Sequence, residues 1–91
     1  MTDNTTPQAK RQLKAFFSKY KKLEDRNDHN GAAILLAQTF GTEDQLETLK
    51  GIQKKHNELG YMTGELMDLR REISSPLWEK FVEARNKQGI F

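Results

Sequence analysis

The sequence predicts an all-α fold, a compact bundle of about four helices in one domain, and three observations carry that prediction. Strong helix formers (Lys, Leu, Glu, Gln, Ala, Arg) recur along the whole chain, whereas the strand former valine occurs only as Val82. Apolar residues return at helical spacing in several separate stretches. Helix start and stop signals punctuate the chain at Thr6-Pro7, Phe40-Gly41-Thr42, Ser75-Pro76 and Gly89. With 91 residues, 35% hydrophobic content and no cysteine, the chain supports one modest core held by packing alone, without disulfides.

Residues 1–5 are small and polar without periodicity and are expected to form a flexible tail; residues 6–91 form the single domain. The first helix is expected to start with Thr6 as N-cap and Pro7 in the first helical position, and to run to about Asn27. Leu13, Phe16, Phe17, Tyr20 and Leu23 share one side of it, within an arc of roughly 120° at helical pitch, and so form the face to be buried. Asp28-His29-Asn30-Gly31 has turn chemistry. The segment Ala32-Ala33-Ile34-Leu35-Leu36-Ala37 is apolar nearly all round, which places it at the centre of the core. Gly41 closes this short helix, and Thr42 with Gln45 forms a capping box for the next one, whose first turn carries Glu43 and Asp44.

From there to Ile73 the residues Ile52, Leu59, Leu66 and Ile73 keep a seven-residue spacing, joined by Leu46, Leu49, Met62 and Leu69. This pattern predicts one long central helix packed in coiled-coil fashion. Lys55, His56, Thr63 and Arg70 interrupt the second seam, and Gly60 and Gly64 weaken a helix interior, so a break near Gly60 with Thr63 as a fresh cap is the alternative. Ser75-Pro76 then predicts the start of a last helix through Leu77, Trp78, Phe81 and Ala84 to about Lys87, ended by Gly89.

Composition narrows the function classes. The 15 Lys and Arg against 13 Asp and Glu leave a net charge of +2, too weak a field to drive the whole molecule onto a polyanion. No apolar run approaches the roughly 18 residues of a membrane span, and MTDNTTPQAK lacks the order of a signal peptide, so no membrane is expected and a cytoplasmic location is. The absence of cysteine removes thiolate catalysis and Cys-type zinc sites. His29 and His56 stand far apart without a metal-ligand pattern, and a calcium loop placed on Gly31 would need Arg26 and Ala37 as ligands; no metal or cofactor is expected. The acids sit on outer faces or in first turns, with no nucleophile and base in sequence register, so neither an enzyme nor a small-molecule substrate is expected.

Two segments point to binding. Residues 9–22 hold Lys10, Arg11, Lys14, Lys19, Lys21 and Lys22 and no acid, a local +6 that can engage nucleic-acid phosphates, with Lys10, Arg11, Lys14, Lys21 and Lys22 as the contact residues. The segment Leu36-Ala37-Gln38-Thr39-Phe40-Gly41-Thr42 followed by Leu46 and Leu49 resembles the helix-turn-helix of DNA-binding regulators. Its recognition helix, however, would open with Glu43, Asp44 and Glu47, three carboxylates facing phosphates. A helix over residues 43–73 would measure about 46 Å, against about 30 Å for a domain of this size, so something should cover its overhang. The expected function is therefore a non-enzymatic protein-binding or regulatory module, acting through its long helix and self-associating as a homodimer. Its contact residues are Leu59, Tyr61, Met62, Leu66, Leu69, Ile73, Ile90 and Phe91. Trp78 and Tyr61 are the aromatic anchors to follow.

Overall fold

The computed structural model describes residues 7–89. The expected tail, the Thr6 cap and the contact residues Ile90 and Phe91 lie outside the described residues. Four helices follow one another: α1 (Pro7–Asp25), α2 (His29–Phe40), α3 (Glu43–Leu59) and α4 (Gly64–Gln88). The described residues contain no strand, and no helix among them is long and apolar enough to cross a membrane.

Asp28 caps α2, its Oδ1 accepting from the Gly31 amide at 3.0 Å, so His29, Asn30 and Gly31 belong to the first helical turn rather than to the expected turn. The chain reverses one step earlier, where Asn27 takes a left-handed φ of 59°; a short amide side chain tolerates that conformation better than most. Between α2 and α3 the expected capping box is complete: the Thr42 amide donates to Gln45 Oε1 at 2.8 Å, and the Gln45 amide donates to Thr42 Oγ1 at 3.2 Å. Gly41 is needed there for room. Its backbone is extended, but a Cβ would fall 2.9 Å from Ala37 Cα.

Two helix boundaries correct the sequence reading. The expected helix over residues 43–73 is broken at Gly60, which adopts φ 82° as the C-cap of α3. Glycine ends a helix in the left-handed conformation at the least steric cost, and the next helix restarts on Thr63, whose Oγ1 accepts from the Leu66 amide at 3.2 Å. Conversely, no helix begins at Ser75-Pro76, because Pro76 lies inside α4. An interior proline removes one backbone hydrogen bond and costs about 3 kcal/mol. Pro76 and Glu72, whose carbonyl loses its partner, are both exposed, so water reaches the gap. The continuity of the buried face explains why α4 persists: Leu66, Arg70, Ile73, Leu77, Phe81, Ala84 and Gln88 follow in steps of four and three residues, in phase through the proline. The molecule's long helix is thus the 25-residue α4, lying at the C-terminal end of the chain.

Helix α2 is the centre of the core, as its composition requires, with Ala32, Ala33, Leu36 and Ala37 buried against Leu49 and Ile52 of α3 and Leu77 and Phe81 of α4. The aromatic side of α1 closes the core. Phe16 is buried, with its ring 5.0 Å from that of Phe81 and edge-on to Phe40 at 5.3 Å; Phe17 stacks on Phe81 at 5.7 Å. Tyr20 stacks on Trp78 at 5.0 Å, and Trp78 lies 5.0 Å from Phe81. Rings at these separations add to their area burial, so this aromatic group is the energetic centre of the α1–α4 contact. The molecule measures 47 × 25 × 16 Å.

Candidate functional site

The break at Gly60 sorts the expected protein-contact residues into two sets. Met62, Leu66 and Ile73 turn inward, half-buried and packed against the molecule's own core. Leu59, Tyr61 and Leu69 turn outward, at 45%, 59% and 39% exposure, and are the large hydrophobic side chains left exposed among the described residues. All three belong to one corner: Leu59 ends α3, Tyr61 lies in the connection, and Leu69 is in the second turn of α4. The seven-residue spacing that suggested a coiled coil therefore mixes positions from both sides of a corner. Exposed Lys54, Lys55 and Arg71 and exposed Glu58, Glu65 and Asp68 surround it in sequence, so both charge signs flank the apolar residues.

A polar cluster beneath this corner fixes its shape. Asn30, 5% exposed, receives Arg70 Nη1 on its Oδ1 at 3.0 Å. Guanidinium only donates, so this bond sets the orientation of the amide and directs its Nδ2 towards His56 Nδ1 at 3.1 Å and Met62 Sδ at 3.4 Å. His56 Nδ1 must then be the acceptor, which places the imidazole proton on Nε2. One side chain of α2 thereby ties together the last turn of α3, the α3–α4 connection and α4. The sequence carried little sign of this. Asn30 reads as a turn residue, and Arg70 reads as an interruption of an apolar seam.

On the opposite side of Arg70, small side chains leave a cleft between α1 and α4, floored by α2. It is lined by Tyr20 and Glu24 of α1, by His29, Ala32, Ala33 and Leu36 of α2, and by Arg70, Arg71 and Ser74 of α4, and holds about 140 Å³. Tyr20, Leu36 and Ser74 also line a neighbouring hollow of about 430 Å³, completed by Ser75, Trp78 and Glu79. Spacing explains the arrangement: Tyr20 and Glu24 are one turn apart on α1, and Arg70, Ser74 and Trp78 are successive turns of α4. His29 Nδ1 donates to Glu24 Oε2 at 2.8 Å, stapling the α1–α2 turn. Burial raises the Tyr20 phenol above its ordinary range, and the Glu24 charge adds to this. Burial also lowers Arg70, with Arg71 acting the same way and Glu24 partly opposing them; as a guanidinium it stays charged.

The basic residues of α1 lie on its outer side. Arg11, Lys14, Lys21 and Lys22 are exposed, Lys10 is half-buried, and none of them forms an ion pair among the described residues. The helix-turn-helix resemblance fares differently. Glu43, Asp44 and Glu47 are all exposed at the start of α3, and Lys50 pairs with Glu47 at 3.7 Å. That surface repels phosphates.

No protein-family model, curated protein or solved structure matches the chain.

Proposed function

We propose that the protein is a non-enzymatic contact module that self-associates through the α3–α4 corner, with Leu59, Tyr61 and Leu69 as anchors. The observation that carries this reading is the confinement of the exposed large hydrophobics among the described residues to that corner. Grouped apolar side chains with polar surroundings are the ordinary mark of a protein contact. A second copy is the partner that the flanking charges suit. In a two-fold contact, the acids at positions 58, 65 and 68 of one molecule can face the bases at positions 54, 55 and 71 of the other. A cytoplasmic regulatory or accessory role accompanies this reading.

Sedimentation velocity over a range of concentrations tests it. The wild type should show a concentration-dependent shift towards dimer, and Leu59→Glu combined with Leu69→Glu should hold the chain as a monomer with its melting temperature nearly unchanged. A wild type that stays monomeric at hundreds of micromolar would overturn the reading.

The basic side of α1, which forms no ion pair among the described residues, favours a second reading, a nucleic-acid contact through Lys10, Arg11, Lys14, Lys21 and Lys22. Anisotropy of labelled DNA and RNA at 50 and 200 mM salt distinguishes it. Phosphate binding should fall steeply between the two salts and vanish in Lys14→Glu with Lys21→Glu.

A further inference from the structure

We infer that the cleft between α1 and α4 is a binding site for a small aromatic anion, a carboxylate or phosphate head group seated at Arg70 with its planar body against Trp78 and Tyr20. The inference is independent of the corner contact and departs from the sequence expectation that no small molecule binds.

Arg70 is half-buried at the edge of the cleft. A half-buried guanidinium normally sits against a carboxylate, since removing its water without supplying a counter-charge is costly. Arg70 has no ion-pair partner among the described residues. Its Nη1 is committed to the neutral Asn30 amide at 3.0 Å, which fixes the planar group and leaves its other donors free. Its neighbour Arg71, exposed and likewise without an ion-pair partner among the described residues, adds a second like charge. The acid that lines the cleft, Glu24, acts on Arg70 only from a distance: it forms no ion pair with the guanidinium, and its carboxylate is held by His29 at 2.8 Å. A bound anion would supply a directly paired counter-charge in the bidentate geometry that a preset guanidinium favours.

The rest of the lining adds neutral polar groups to the two arginines. Tyr20 and Ser74 both line the cleft, and neither hydroxyl has a hydrogen-bond partner among the described residues, so two neutral donors are available to a ligand there. The Tyr20 phenol is protonated at neutral pH and able to donate, and burial moves it further in that direction. A volume of about 140 Å³ suits one carboxylate or phosphoryl group. The larger hollow of about 430 Å³ beside it is lined by Tyr20, Leu36 and Trp78 together with the polar Ser74, Ser75 and Glu79, and because Tyr20 and Trp78 already stack on each other at 5.0 Å, it gives a planar body room beside that ring pair and not between its rings. The two spaces meet at Tyr20, Leu36 and Ser74, so a single ligand spans both.

Trp78 is the chain's one tryptophan and lines the larger hollow, so its fluorescence, excited at long wavelength, reports occupancy directly. The intact protein is titrated with phenyl phosphate, benzoate, inorganic phosphate and benzyl alcohol. Phenyl phosphate or benzoate should give a saturable change, and whichever is tighter identifies the head group. Inorganic phosphate should bind at least tenfold more weakly than phenyl phosphate, and benzyl alcohol should give no saturation. Arg70→Gln should weaken the better ligand by tenfold or more. Because that variant also loses the Asn30 contact, Ser74→Leu provides the independent arm: it keeps both arginines, fills the junction of the two spaces and should abolish binding. Lys14→Glu with Lys21→Glu should leave binding unchanged. No saturation by either aromatic anion, equal binding of benzyl alcohol, or loss of binding in the Lys14/Lys21 variant but not in Ser74→Leu would each overturn the inference.

Discussion

Two buried amides stand on the inward face of this bundle, and the contrast between them shows how the two ends of the molecule are held. Asn30, 5% exposed, has a partner for its oxygen and two for its nitrogen, and each partner belongs to a different stretch of chain. Gln88, 7% exposed, is enclosed at the other end among Phe40, Leu13 and Ala84, and its Oε1 has no hydrogen-bond partner among the described residues. The same functional group is thus a fastening at one end and a charge against stability at the other. Hydrogen bonds contribute little net when made and cost considerably more when a buried partner goes unmet. The end rich in rings tolerates an unmet oxygen because packing around Phe81 dominates there. At the polar end the half-buried Met62, Leu66 and Ile73 pack on the core, and the hydrogen-bond network sets the shape of the corner.

Four measurements of stability would break or sharpen that contrast, the first three by chemical denaturation and the last by melting temperature against pH. The largest effect is expected for Phe81→Ala, because Phe81 is fully buried and four other rings meet it: a loss of about 3–5 kcal/mol. A loss below about 1 kcal/mol would mean that the rings are not the energetic centre. Asn30→Leu comes next, with a loss of about 2 kcal/mol, since it strands Arg70 and His56 at once. Proton exchange at the His56 imidazole, followed by NMR, should speed up in the same variant. Gln88→Leu should change sign and raise stability by about 1 kcal/mol through removal of the unmet acceptor; a comparable loss would show that Gln88 has partners like those of Asn30. The smallest effect concerns Tyr20. Its folded-state pKa lies above the unfolded value of about 10, so its contribution is fully present below that pH and is lost as pH rises through the folded value. Tyr20→Phe should therefore flatten the alkaline decline in melting temperature relative to the wild type.

The helical class, the central place of α2, the buried side of α1 and the Thr42–Gln45 capping box were all legible in the sequence, because each rests on a local pattern with a local cause. The boundaries of the long helix were not. Ser75-Pro76 has the composition of a helix start, and a proline is compatible with an interior position only when a continuous buried face outweighs it. That face was masked by Arg70 and Gln88, whose polarity hides two inward positions from any count of hydrophobic residues. Gly60 was visible as a possible break, but the seven-residue spacing of Ile52, Leu59, Leu66 and Ile73 argued against it. The structure turns Leu59 outward and the other three inward. The cleft lay furthest from view. It depends on what Ala32, Ala33 and Ser74 leave empty between helices distant in sequence, and on an arginine without an ion pair among the described residues, and neither is a property of any one segment.

Pro76 has a kinetic consequence. A helix whose ladder is interrupted at its midpoint can open in two parts, and the two parts of α4 are anchored unequally. The C-terminal part carries the fully buried Leu77 and Phe81, whereas the part from Gly64 to Ser75 carries half-buried Leu66 and Ile73 together with Arg70, Arg71 and Ser74. In hydrogen exchange the amides after the proline should open only with the whole molecule, and those before it in a smaller, cheaper event. The wall of the cleft would then be able to loosen and reclose while the ring-packed end stays folded, which gives a molecule of this size a way to admit a ligand without unfolding.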